Sequence, residues 1–191
     1  MVASMKITAD YLAEQQKLHQ NPAYGVASLS FAPIVAQLIR DNGWLSVSDY
    51  GAGKKRLQEG LAKAGVEVDY RPYDPVFPEY GEPQPADLVC CIDVLEHIEP
   101  DCVDAVLDDL HKIMPKFGFF SIHTGAATKV LSDGRNAHLI QKPASWWLQR
   151  LCPRFEIHYL QAHNMMGQGF WMVVSANALA ESSADIAPPA L

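Results

Sequence analysis

Apolar and polar positions along the chain follow two different periods, which predict strands and helices in turn. Short apolar or alternating segments predict strands at residues 44–50, 66–71, 86–92, 117–123, 155–160 and 170–176. Apolar residues recurring every three or four positions predict helices at about residues 9–19, 30–42, 54–64, 101–114 and 144–151. The alternation of strands and helices predicts an α/β fold with a mostly parallel sheet, and the last two strands form an antiparallel hairpin.

The segment WLSVSDYGAGKKRL, residues 44–57, combines a strand, a glycine turn and the start of a helix. Leu45 and Val47 are predicted to be buried in the strand. Gly51 and Gly53 form a turn that residues with bulky side chains would not allow. The arrangement predicts free backbone N–H groups and the positive end of a helix dipole at one point, where an anionic group of a cofactor would bind.

The next strand ends close to an acidic residue. The segment VEVDYRPYDP, residues 66–75, alternates apolar and charged positions, which predicts a half-exposed strand that Pro72 terminates. Asp74 follows Gly51 by about 20 residues, the distance at which nucleoside-binding folds place a carboxylate for the ribose hydroxyls. Asp74 is therefore a candidate ribose contact.

With 191 residues the chain is long enough for one domain with a full hydrophobic core. We predict a single domain over residues 1–178, with N-terminal helices in 1–43 and the sheet core in 44–178. Residues 179–191 are rich in Ser, Ala and Pro and are predicted to be disordered. The sequence has no apolar run long enough to cross a bilayer and no signal-peptide pattern, so we expect a cytoplasmic protein.

The formal net charge of −7 restricts the possible partners. Binding to DNA or RNA depends mainly on neutralising phosphates, so a nucleic-acid polymer is not an expected partner. The four cysteines lack the spacing of a zinc site, and no metal site is predicted. The expected partner is a small molecule, and both a monomer and a homodimer are compatible with the sequence.

Three motifs, in this order, resemble the class I methyltransferases that use S-adenosylmethionine. They are DYGAGKKRL, YDP and ADLVCCIDVLEHIEP, at residues 49–57, 73–75 and 86–100. The segments IHTG and DGRNAHLIQKPASWW resemble more narrowly a group of small, mostly uncharacterised bacterial and viral methyltransferases. The resemblance implies a single Rossmann-like domain that transfers a methyl group to a small polar acceptor, such as a sugar, a nucleotide or a metabolite.

The resemblance also implies which residues contact the cofactor. Asp49 matches the acid that holds the ammonium of the methionine part, and Asp74 matches the ribose carboxylate. Gly51 and Gly53 match the turn where the backbone approaches the cofactor closely. The remaining implied cofactor contacts follow the second and third predicted strands and are Pro75, Asp93 and Val94.

The chain departs from the family pattern in two places. Lys55 occupies a position that is usually small, so its side chain must point outward. Residues 75–86 alone separate the second predicted strand from the third, where the family fits a helix and another strand, so the sheet is expected to be shortened here. The usual adenine-binding acid has no counterpart. The residues expected to cover the adenine instead are Val76, Phe77 or Tyr80.

Histidines near the ends of later strands are the candidate catalytic residues. His123 is the first candidate base because it ends the strand after the central one, and ligands bind beyond the carboxyl ends of such strands. His138 is the second catalytic candidate. Arg135, Asn136 and His138 are predicted to bind a phosphate, carboxylate or sugar of the acceptor. The alternative is that these side chains only hydrogen-bond to their own loops.

Two other functions stay open from the sequence. Lys55 and the shortened sheet are compatible with a non-catalytic protein of this fold that binds S-adenosylmethionine or serves as a scaffold. A nicotinamide-dependent oxidoreductase shares the strand, turn and helix. The DVLEH segment and the missing third glycine argue against the oxidoreductase.

Overall fold

The computed structural model describes residues 5–165 and 167–177, so the predicted disordered tail lies outside the described residues. Six strands form one sheet. They are β1 Ser46–Tyr50, β2 Asp69–Tyr73, β3 Leu88–Ile92, β4 Phe117–His123, β5 Phe155–His163 and β6 Gly169–Ala176. The α-helices of the described residues are α1 Ala9–His19, α2 Ala27–Asn42, α3 Arg56–Lys63, α4 Val103–Lys112 and α5 Ala144–Leu151.

The strand order is β2-β1-β3-β4-β6-β5, with β1 to β4 parallel and the β5–β6 hairpin antiparallel. The predicted α/β fold with a C-terminal hairpin is therefore confirmed. The predicted shortening is also confirmed, because β2 is the edge of the sheet in the part of the chain that the structure describes. Chain order reverses between β1 and β3, and such a reversal opens a crevice at the carboxyl ends of the strands.

Buried side chains cover both faces of the sheet. One cluster joins β3 and β4 to α4 and α5, with Leu107, Phe120 and Trp147 fully buried. The other joins the opposite face to α2 and α3, with Phe31 and Leu61 buried. Helices on both faces leave the strand ends as the place where polar groups can meet a ligand. Among the described helices, none is long and apolar enough to cross a membrane.

The edge strand β2 differs from its prediction. Pro72 lies inside β2, opposite Asp49, rather than ending it. An edge strand can accept proline because one side of its backbone bonds to no neighbour. Three predictions match the observed elements to the residue, namely α1, β4 and α5.

The prediction that Leu45 is buried is wrong. Leu45 precedes β1 and its side chain is 76% exposed, whereas the Val47 side chain is 0% exposed. The backbone N–H of Leu45 donates a hydrogen bond to the carboxylate of Asp87 at 3.0 Å. The backbone of this residue thus anchors the strand, while its side chain contributes nothing to the core.

We therefore expect alanine to have opposite consequences at these two positions. Val47→Ala should lower the free energy of unfolding by about 2 kcal/mol, because it empties space in the core. Leu45→Ala should change this free energy by less than about 0.5 kcal/mol. Urea denaturation of both variants measures the difference. Equal losses of unfolding free energy in the two variants would contradict the observed burial of Val47 and exposure of Leu45.

Candidate functional site

A cavity of about 320 Å³ lies at the carboxyl ends of the parallel strands. Ligand pockets usually measure about 300–1,000 Å³, so this one has room for a small molecule. Asp49, Asp74 and Asp93 line it, and each lies at or just after the end of a strand, β1, β2 and β3 respectively. His123, the last residue of β4, also lines it. Four neighbouring strands thus place polar groups around one space.

The N-terminal region forms the roof of this cavity. Tyr11, Gln15 and His19 of α1 line it, and so do residues 23–28, which include the end of the loop into α2 and the first two residues of that helix. This loop therefore lies directly beside the space where a ligand would bind.

Hydrogen bonds hold α1 over the cavity. The Glu14 carboxylate accepts bonds from the backbone N–H and the hydroxyl of Ser132, at 2.8 and 2.7 Å. Thr8, the N-cap of α1, donates its hydroxyl to Glu99 at 2.8 Å. Tyr11 packs in a small apolar cluster with residues of the 124–142 loop. Side chains of α1 and of its N-cap residue thus hold this helix over the cavity.

The glycine turn after β1 is tightly packed and internally bonded. Gly51 has φ +81°, and a Cβ atom there would lie 2.4 Å from Cγ2 of Val94. The N–H groups of Gly51 and Ala52 donate to the carbonyl of Tyr73, at 2.8 and 3.0 Å. The N–H of Gly53 donates to Asp74 at 2.9 Å. For these three turn residues, the prediction of free N–H groups that bind an anion is therefore wrong, since β2 and its following acid use them.

Lys55 does not belong to the described lining of the cavity. Its backbone is left-handed, with φ 58°. Its Nζ lies 4.4 Å from the centre of the Tyr80 ring, and Tyr80 stacks on Phe77 with ring centres 5.3 Å apart. Of the three residues expected to cover an adenine, Val76 is the one found in the described lining of the cavity.

Asp74 is held rigidly with acceptor capacity to spare. One carboxylate oxygen accepts from the N–H of Gly53 at 2.9 Å, and the other accepts from the N–H of Val76 at 2.8 Å. A carboxylate oxygen can accept two hydrogen bonds, so each keeps one lone pair for a ligand. Burial raises the pKa of Asp74, and the two N–H bonds oppose that shift.

Asp49 is the most deeply buried of the three acids. Burial raises its pKa to about 7, and the hydroxyl of Tyr70, which donates a hydrogen bond to it, opposes the shift. The nearby Asp74 raises the pKa further.

Asp93 has a left-handed backbone, with φ 52°, and its carboxylate accepts a hydrogen bond from the hydroxyl of Ser121 at 2.8 Å.

Three histidine rings form the opposite wall. The ring centres of His97 and His138 lie 4.7 Å apart, and those of His123 and His138 lie 4.6 Å apart. Nδ1 of His97 is 2.8 Å from the carbonyl oxygen of Ala137, and Nδ1 of His138 is 2.8 Å from that of Gly125. A carbonyl only accepts, so both Nδ1 atoms bear the proton and both Nε2 atoms have a lone pair.

The contacts of His123 bear on its tautomer, and burial decides the charge of His97 and His138. Nδ1 of His123 lies 3.1 Å from the N–H and 3.2 Å from the carbonyl oxygen of Gly125, so its neighbours allow either tautomer. Burial lowers the pKa of His97 to about 3 and also lowers the pKa of His138. These two rings are therefore neutral at pH 7, and their Nε2 lone pairs are available.

Glu96 is a residue that the sequence patterns did not single out. Its side chain is fully buried. One oxygen, Oε1, accepts the backbone N–H of His123 at 2.9 Å, while Oε2 has no hydrogen-bond partner within the described residues. Burial raises the pKa of this carboxyl well above its usual value. The signal in the sequence is an acid placed directly before a histidine, four residues after a buried strand.

The cavity brings most of the predicted site residues together. The predicted cofactor contacts in its lining are Asp49, Gly51, Gly53, Asp74, Pro75, Asp93 and Val94. Both predicted catalytic histidines, His123 and His138, line it as well. This placement does not test their roles, which stay predictions.

Two predicted acceptor contacts lie elsewhere. Arg135 pairs with Asp133 at 2.6 Å and its guanidinium carbon lies 5.5 Å from the ring centre of Tyr11. The Asn136 side chain bonds to the backbone N–H and carbonyl of Ala127, both at 2.9 Å. Neither residue belongs to the described lining of the cavity. Their contact with an acceptor stays a prediction, and their observed contacts are within the loop and with α1.

Comparison with known proteins supports the fold. No protein-family profile matches the chain, and no curated protein matches it in sequence. Among solved structures, the 1,6-didemethyltoxoflavin-N1-methyltransferase of Burkholderia thailandensis, with bound S-adenosylhomocysteine, is 14% identical, with a TM-score of 0.57, over 92% of this chain and 93% of that one.

Two further structures agree. The mitomycin 7-O-methyltransferase MmcR is 15% identical, with a TM-score of 0.60, over 86% of this chain and 60% of that one. The magnesium protoporphyrin IX methyltransferase of Synechocystis PCC 6803, with bound S-adenosylhomocysteine, is 14% identical, with a TM-score of 0.54, over 88% of this chain and 95% of that one. The chain therefore has the Rossmann-like fold of these three proteins.

Proposed function

We propose that this protein transfers a methyl group from S-adenosylmethionine to a small polar acceptor. One observation above all supports the proposal. Three acids, Asp49, Asp74 and Asp93, converge on the cavity, while the N–H groups of the glycine turn are already bonded within the protein. Such a site favours a positively charged nucleoside without phosphates, because opposite charges attract strongly where water is scarce.

The resemblance to methyltransferases suggests what each acid would do. Asp74 has lone pairs left for the ribose hydroxyls, and Asp49 would hold the ammonium group. Gly51 and Gly53 keep the turn narrow, and Pro75 and Val94 also line the space. When bound, S-adenosylmethionine supplies an activated methyl group on a positively charged sulfur. Neighbouring structures with bound S-adenosylhomocysteine support this choice of cofactor.

The acceptor would bind on the histidine side of the cavity. Holding an acceptor in line with the methyl group can contribute about 7–11 kcal/mol to lowering the barrier. An acceptor hydroxyl must also lose its proton, and a positioned base contributes roughly 10²–10⁴-fold in rate. His123 would take this proton on Nε2 when its Nδ1–H donates to Gly125. His138 is the second candidate, since its Nε2 has a lone pair.

A dinucleotide cofactor fits this cavity less well. Dinucleotide folds bind the pyrophosphate with free N–H groups of the glycine turn and the start of the next helix. Here the N–H groups of Gly51, Ala52 and Gly53 have partners within the protein. The pyrophosphate would also lie near the carboxyl groups of Asp49 and Asp74. Both features disfavour the nicotinamide alternative.

Thermal unfolding in the presence of each cofactor tests the proposal. S-adenosylmethionine or S-adenosylhomocysteine at 100 times its dissociation constant should stabilise the protein by about 2.7 kcal/mol. For a domain of this size the melting temperature should rise by roughly 5–10 °C. NAD at the same concentration should leave it unchanged. Stabilisation by NAD without stabilisation by either adenosyl compound would contradict the proposal.

Binding alone does not distinguish an enzyme from a scaffold. Incubation with S-adenosylmethionine labelled in its methyl group, together with a mixture of small metabolites, should give a labelled product. Tight binding that leaves every metabolite unlabelled would favour the non-catalytic alternative.

A further inference from the structure

We propose that Glu96, His97 and His138 bind a divalent transition-metal ion at the histidine wall of the cavity. The candidate ligand atoms of these three residues all lie within 4.8 Å of one another. The sequence spacing of the cysteines and histidines predicts no such site, because His138 lies in a distant loop. The metal site stands on these contacts alone and does not depend on methyl transfer.

The two histidines are prepared as ligands by their outer hydrogen bonds. Metal-binding histidines usually donate the N–H of one ring nitrogen to a carbonyl or carboxylate, which fixes the ring and directs the other nitrogen to the metal. His97 and His138 make this bond through Nδ1, each at 2.8 Å, to the carbonyls of Ala137 and Gly125. Their Nε2 atoms are consequently the free donors.

The third ligand would be the unpartnered oxygen of Glu96. Oε1 is used by the backbone N–H of His123 at 2.9 Å. Oε2 is buried without a partner among the described residues. A buried polar oxygen in this state costs free energy, and such atoms in folded proteins usually have a partner. A cation held between Oε2 and the two histidines would provide that partner.

The donor set favours zinc-like ions over magnesium. Two imidazole nitrogens and one carboxylate oxygen match the three protein ligands of catalytic zinc sites, whereas Mg²⁺ prefers oxygen alone. Ligand atoms about 2.1 Å from Zn²⁺ in a tetrahedron lie about 3.4 Å apart, so the side chains would close in slightly on binding. His97 and His138 line the cavity, so the fourth position would face the ligand space.

An open position in the cavity suggests what the ion would do. It would bind an oxygen atom of the acceptor, which makes a hydroxyl easier to deprotonate. The hydroxyl would lose its proton to Nε2 of His123. An electron pair of its oxygen would then form the bond to the methyl carbon as the bond from that carbon to sulfur breaks, leaving neutral S-adenosylhomocysteine. This role rests on the proposed function, and it narrows the acceptor to a molecule that presents a hydroxyl.

Titration calorimetry with Zn²⁺ on chelator-treated protein tests the site. All variants should have Cys152→Ser as background, because Cys152 is an exposed thiol that could bind zinc by itself. We expect one ion per chain, and we expect Glu96→Gln and His138→Ala each to weaken binding by at least about 100-fold. His158→Ala is the matched control, since His158 bonds to Ser175 on the hairpin. It should leave Zn²⁺ affinity unchanged.

The visible absorption of Co²⁺ gives a second measurement that needs no activity. A tetrahedral spectrum in the background protein, lost in Glu96→Gln, would support the site. Glu96→Gln keeps the size of the side chain, so it decides the matter even if His138→Ala does not fold. Equal Zn²⁺ affinity in the background protein and Glu96→Gln would overturn the proposal. Stabilisation by S-adenosylmethionine in the same variant would then show that the failure concerns the metal site alone.

Discussion

Gly51→Arg is expected to abolish measurable binding of S-adenosylmethionine. Gly51 lines the cavity, and its φ of +81° is strained for any other residue. A Cβ atom alone would lie 2.4 Å from Cγ2 of Val94, so an arginine must displace Val94 or enter the cavity. The added positive charge would also repel a cationic cofactor. We expect a loss of affinity above about 100-fold, or about 2.8 kcal/mol, measured by calorimetry.

A second glycine separates loss of the site from strain in the backbone. Gly43, at the end of α2, has φ +64°, and a Cβ atom added there would meet no other part of the fold within 4 Å. Gly43→Arg should therefore destabilise the protein through its backbone while keeping cofactor affinity. If Gly51→Arg folds and binds S-adenosylmethionine as tightly as Gly43→Arg does, the cavity is not the cofactor site.

The elements predicted most accurately are those with one possible environment. β4 is buried along its whole length, and both its ends agree with the prediction, as expected where every residue of a strand has the same environment. Leu45 was misplaced because an apolar residue before a strand has the same local pattern as one inside it. Pro72 was misplaced because the tolerance of an edge strand for proline depends on which neighbours the strand has.

For the site, too, local patterns identified some residues and missed those whose role depends on distant parts of the chain. A general rule, that ligands bind beyond the carboxyl ends of parallel strands, was enough to select His123. Asp74 was selected by its distance from the glycine turn, and Asp49 by the family resemblance alone. The hydrogen bonds of the N–H groups in the glycine turn could not be predicted from the sequence, because their acceptor is the carbonyl of Tyr73 on the neighbouring strand. Glu96 escaped notice for the same reason, since its partner is the backbone of a residue 27 positions away.

The cavity thus has two chemically different walls. One wall has the acids at the ends of β1, β2 and β3, and the other has the neutral imidazoles of His97 and His138 with available lone pairs. The first suits a cationic donor, and the second suits the acceptor and the proton it must lose. Because binding of the donor depends on the charge of the acidic wall, its affinity should respond to pH.

Cofactor affinity is expected to fall as the pH is lowered from 7 to 5. Burial raises the pKa of Asp49 to about 7, with Asp74 adding to the shift and the Tyr70 hydroxyl opposing it. An ammonium group held by Asp49 needs the ionised carboxylate, so affinity should decrease by up to tenfold per pH unit below 7. Calorimetry at pH 5, 6 and 7 should show a total decrease of about 50-fold, because half of the Asp49 carboxyl is ionised at pH 7 and about one hundredth at pH 5.

The variant Asp49→Asn assigns this dependence to one carboxyl group. Its affinity should be low and nearly constant between pH 5 and 7. Stability without cofactor should change in the opposite direction, because the folded wild-type protein retains a proton that the unfolded chain loses above pH 3.8. Relative to Asp49→Asn, the free energy of unfolding of the wild type should thus decrease by up to about 1.4 kcal/mol for each unit by which the pH rises from 4 to 7. If the stability of the two proteins changes with pH in parallel, Asp49 is ionised in the folded protein over this whole pH range. The predicted fall in cofactor affinity at low pH would then have no basis.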